Sequence, residues 1–62
     1  MSDAIQEFLT ASFQEQLPVT IYFDSHHLAG TVTAIKEDAV EIRHEKSRIV
    51  IRIEKIFAVS WE

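Results

Sequence analysis

The chain has 62 residues, with 47% hydrophobic content, one glycine, one proline and no cysteine. That length allows one domain, residues 1–62, and the missing cysteines exclude disulfides and thiolate zinc sites as its support. Ten acids against six bases give a net charge of -4, the reverse of the balance expected of a protein that holds nucleic acid by bulk charge.

The hydrophobic fraction is too high for disorder and generous for a lone domain of this size, so self-association is expected. No apolar run approaches membrane-spanning length, and the first residues lack the basic-then-apolar layout of a signal peptide. The expectation is a cytoplasmic protein with no membrane partner.

Ser2 or Asp3 caps a helix that begins at Ala4, with Gln6 completing a capping-box-like arrangement after Asp3. Ile5, Phe8, Leu9 and Ser12 or Phe13 recur at helical spacing, and the helix ends near Glu15 or Gln16. Phe13 sits at the margin of this stripe and reads either as core or as an exposed contact for another chain. Pro18 cannot continue a helix and holds Leu17 extended. From there Val19, Ile21 and Phe23 alternate with Thr20 and Tyr22, the period of a strand with one buried face.

Asp24 to His27 read as a hairpin turn. A second strand runs from Leu28 to about Ile35 and contains Gly30, which marks a bend or a close backbone approach. Lys36–Asp38 turn the chain into Ala39–His44, with Val40 and Ile42 inward and Glu41 and Arg43 outward. After a turn at Glu45–Ser47, Arg48–Ile53 alternate strongly, and a fifth strand runs from Lys55 or Ile56 to Trp61. The order predicts a mainly β (α+β) fold, a small, bent, five-stranded antiparallel barrel with an N-terminal helix on one open end. Val50, Ile51, Phe57, Val59 and Trp61 make the last two strands apolar on more than one side. Free edges of that kind invite aggregation, and pairing between copies closes into a ring when the rotation allows.

No catalytic chemistry is visible. His26 and His27 are adjacent on a strand or turn and do not form a natural chelating pair, and His44 lies at another turn, so no metal or cofactor is expected. The carboxylates are dispersed, and there is neither a phosphate loop nor a nucleophile motif. All six bases, Lys36, Arg43, Lys46, Arg48, Arg52 and Lys55, fall in the second half. That pattern suggests a basic strip on the sheet and an acidic helix face. Tyr22 points away from the core side of its strand and reads either as half-buried packing or as a stacking platform for a base.

Phe8-Leu9-Thr10-Ala11, Glu15, Leu17 to Phe23, and Leu28-Ala29-Gly30-Thr31-Val32 resemble the Hfq family of bacterial Sm-like RNA-binding proteins. The resemblance runs without a gap from Phe8 to Tyr22, is specific in the first half and weak in the second. It implies an Sm-type barrel assembled into a ring, typically a hexamer, through pairing of the fourth and fifth strands.

By the same resemblance Tyr22 corresponds to the tyrosine that stacks adenine, and His27 and Ala29 lie near base-contacting positions. Gln6 resembles a uridine-contacting glutamine, displaced by one residue. Other family features are absent. The rim arginines are replaced in Phe13-Gln14-Glu15-Gln16, the lysine-histidine pair falls at Ile53-Glu54, and the uracil-stacking aromatic falls near Asp38. The implied partner is therefore single-stranded RNA, A-rich rather than U-rich, with Arg43 or Arg52 supplying phosphate contacts. The alternative is a divergent ring whose RNA sites have decayed and which serves as an assembly or protein-interaction module.

Overall fold

The computed structural model describes residues 3–62. Helix α1 spans Ala4–Glu15. The Asp3 carboxylate accepts the Ile5 and Gln6 backbone N–H groups at 3.1 and 3.3 Å, satisfying two donors the helix cannot. Ser2, the other candidate cap, lies outside the described residues. Gln16 ends the helix in a left-handed conformation, φ 55°, and its N–H donates to the Ser12 carbonyl. Leu17 and Pro18 then carry the chain into the first strand.

The strands are β1 (Val19–Phe23), β2 (His26–Ile35), β3 (Ala39–His44), β4 (Ser47–Arg52) and β5 (Ile56–Trp61). The first hairpin turn is shorter than the polar run suggested. His26 and His27 already belong to β2 and pair with Phe23 and Tyr22. A polar residue at a strand end costs little when its face is solvated, so polarity alone misplaced this boundary. Ser47 likewise opens β4, opposite His44, leaving Glu45 and Lys46 as the turn.

All pairings are antiparallel, and the sheet order is β4-β3-β2-β1-β5. β2 is the shared strand: His26–Gly30 pair with β1, and Thr31–Ile35 pair with β3. The sheet bends at this hand-over. A Cβ on Gly30 would stand 2.5 Å from the Arg43 carbonyl oxygen and 2.7 Å from Ile42 Cγ2, so only glycine lets β3 approach so closely.

The expected barrel is not formed. Among the described residues β4 bonds only to β3 and β5 only to β1, so the sheet stays open with both as edges. The cause is the single 3₁₀ turn between them, Ile53–Lys55, anchored by the Ile53 N–H donating to the Asp38 carbonyl at 2.8 Å. It carries the chain from one edge of the bent sheet to the other, and among the described residues nothing closes the gap between them.

Leu9, Val19, Ile21, Val32, Val40, Ile42, Ile51 and Ile56 form the buried core. Full burial of side chains this size contributes about 1.5–3 kcal/mol each. Helix α1 packs on β2 and β5, with Leu9 and Ser12 fully buried. Phe13, at 40% exposure, lies outside the core. Ser12 takes the buried position because its hydroxyl is satisfied there, donating to the Leu17 carbonyl at 2.6 Å and accepting the Val32 N–H at 3.1 Å.

Candidate nucleic-acid interface

Strand alternation sorts the sheet into two faces. Val19, Ile21, Val32, Val40, Ile42 and Ile51 point to the core, so their neighbours along each strand point outward. Register then assembles the outer face. Tyr22 pairs with His27 and Ala58, and Thr20 pairs with Ala29 and Ser60. Thr31 pairs with Arg43, Arg43 with Arg48, and Ala39 with Arg52.

An aromatic cluster occupies one end of this face. The Tyr22 ring lies 6.0 Å from that of His27 and 6.2 Å from that of Phe57, tilted by 37° and 48°. A bulge between Tyr22 and Phe23 leaves Phe57 between two paired positions of β5, which aims its ring beside Tyr22 on the solvent side. Phe57 remains 64% exposed. Flat aromatic surface in water is the chemical requirement for stacking a base.

The other end is cationic. Arg43, Arg48 and Arg52 are all the arginines of the chain. All three are exposed, and register puts them together on this face. Arg52 meets Glu54 at 3.5 Å, with both side chains largely in water, a contact of little energetic weight. The helix carries Glu7 and Glu15 and no base. The bases are therefore confined to the sheet and its turns, but the acids are not confined to the helix, since Glu41 shares the outer face with the arginines.

Of the sequence-derived RNA candidates, Tyr22, His27, Ala29, Arg43 and Arg52 share this face. Gln6 does not, because it sits on α1, on the core side of the sheet. Periodicity did not single out Arg48 or the neighbourhood of Tyr22 and Phe57. Hairpin arithmetic could have found Arg48, since a turn at Glu45-Lys46 sets Arg43 opposite it. The Phe57 contact depends on a bulge and left no signal in the sequence.

The candidate interface residues divide in two. Val50 is 65%, Phe57 64% and Trp61 42% exposed, and the Trp61 ring stacks on Phe8 at 4.8 Å. Ile51 is buried and Val59 packs against the core, so at an edge these two offer backbone groups rather than side chains. His44 places Nδ1 2.6 Å from the Ala29 carbonyl, a contact to the bent strand.

A terminal helix packed on a bent antiparallel sheet ordered β4-β3-β2-β1-β5 is an Sm-like fold. A crystal structure of the pleiotropic translational regulator Hfq matches it with a TM-score of 0.82, over 92% of this chain and 88% of that one. Identity across that match is 17%, so the likeness is one of fold. No family model matches the sequence. No curated protein matches it either.

Proposed function

We propose that this chain is an Hfq-like RNA-binding protein, a binding module rather than an enzyme, that associates with its own copies into a ring. Single-stranded RNA, A-rich rather than U-rich, lies on the outer face that carries Tyr22, with the arginines contacting phosphate. The observation that supports this reading is the combination on one solvent-facing surface of Tyr22, flanked by His27 and Phe57, and every arginine of an otherwise acidic chain. Stacking tolerates any base, while the cations follow the backbone. The two unpaired edges supply the association surface, since β4 of one copy completes β5 of the next head to tail.

Titration with oligo-A and oligo-U at two salt concentrations, on protein whose mass is known from light scattering, tests the reading. Oligo-A binding that weakens steeply with salt and is lost in Tyr22→Ala is the expected result. Tight oligo-U binding that survives Tyr22→Ala would move the working face to the helix side. An intact ring that binds neither oligomer would instead favour a protein-interaction module.

A further inference from the structure

We propose that Arg43 and Arg48 form a two-guanidinium site for a backbone phosphate of the single-stranded nucleic acid, a second anchor separate from the aromatic end. This rests on the RNA-binding reading of the outer face and adds to it the place where the strand's charge is held.

The turn at Glu45 and Lys46 sets Arg43 and Arg48 directly opposite one another across β3 and β4. Side chains so placed start about 4.5–5.5 Å apart, and like charges in that relation destabilise a sheet. Neither guanidinium has an ion-pair partner among the described residues. The nearest acids make their contacts with other groups and form no ion pair with either arginine. Glu41, on the same face, accepts the Thr33 hydroxyl at 2.8 Å through its carboxylate. The Glu45 carboxylate lies 3.8 Å from His44 Nε2. A chain with ten acids and six bases thus leaves two of its three arginines facing each other, exposed and without a direct ion pair among the described residues.

A phosphate resolves that opposition. The guanidinium fork matches its oxygens, and two forks from adjacent strands can share one anion. Thr31 extends the row, since it pairs with Arg43 from β2 and brings a hydroxyl to the same face. Thr31, Arg43 and Arg48 thus run in register across three strands. Along β2 the row lies four residues from His27, the partner of Tyr22, or roughly 13 Å at strand rise. Ala29 lies between, exposed and small, and leaves the path open.

The test uses the full chain and two probes of equal length, oligo-A and an abasic deoxyribose-phosphate oligomer, each titrated over a range of salt. Arg43→Ala and Arg48→Ala should each weaken both probes and flatten the slope of log K against log salt by about one phosphate contact. Both variants should also melt at a higher temperature than the parent, because the like-charge opposition is gone. That gain separates lost binding from damaged folding, and Arg48→Lys should recover binding in part. Tyr22→Ala should weaken oligo-A and leave the abasic oligomer unchanged. Unaltered slopes in both arginine variants, or weaker binding accompanied by a lower melting temperature, overturn the site. Those results with oligo-A still sensitive to Tyr22→Ala leave the aromatic reading standing. Flattened slopes with Tyr22→Ala inert uphold the arginine site and remove the aromatic one.

Discussion

The Ser12 hydroxyl and the Val32 backbone N–H, 3.1 Å apart and both buried, tie the helix to the bent strand. The same hydroxyl donates to the Leu17 carbonyl, so one side chain fixes the exit of the helix and its docking. Ser12→Ala removes the acceptor that Val32 uses in a dry site. The expected loss is about 1–3 kcal/mol, read as a lower urea midpoint with an unchanged m-value.

Gly30→Ala tests the close approach of β2 and β3. A methyl group there meets the Arg43 carbonyl and the Ile42 side chain inside contact distance, and the first of these is backbone that cannot rotate away. Overpacking of this kind costs about 1–3 kcal/mol. For so small a domain the melting temperature should fall about 4–8 °C for each kcal/mol.

Val50 is a direct handle on assembly, being 65% exposed on the free edge of β4. Val50→Lys should leave the fold of each chain within about 0.5 kcal/mol. A charge on an edge strand opposes pairing with another copy. Light scattering should therefore report a smaller particle at equal concentration, with unchanged far-ultraviolet circular dichroism. A parent protein that is monomeric at micromolar concentration, or a variant of parental mass, would count against association through this edge.

The aromatic end predicts a difference between two substitutions of Tyr22. Tyr22→Phe keeps the stacking surface and should bind oligo-A nearly as the parent does. Tyr22→Ala should lose about 1–3 kcal/mol per stacked base, or roughly 5- to 150-fold in affinity. Equal loss in both would assign the effect to the phenol hydroxyl instead.

Alternation made the inward sets legible in the sequence, because Val40 and Ile42 can be buried together only in a strand of that phase. Pro18 marked the change from helix to sheet, and the lone glycine marked the close approach. Closure was not legible. Whether β4 meets β5 depends on where the Ile53–Lys55 turn sends the chain, and period-two patterning is identical for an open and a closed sheet. Ser12 was ambiguous with Phe13 for a related reason: a serine is buried only when partners distant in sequence, here Val32, satisfy it. At the site, Tyr22 was legible from its outward phase, while its contact with Phe57 depends on a bulge that composition does not encode.

The place of β5 beside β1 also sets an order of events in folding. Val19 pairs with Trp61 and Thr20 with Ser60. The Glu62 N–H reaches the Pro18 carbonyl at 3.3 Å, and the Thr20 hydroxyl meets the Glu62 carboxylate. The hairpins from β1 to β4 are local and can form quickly, but β1 keeps one side unpaired until the last strand arrives from some forty residues away (the longest loop the fold must close). In folding, that edge of the strand carrying Tyr22 is the last to be covered. A chain cut before Ile56 would therefore keep the residues that pair its first four strands while the strand carrying Tyr22 stays open to foreign strands.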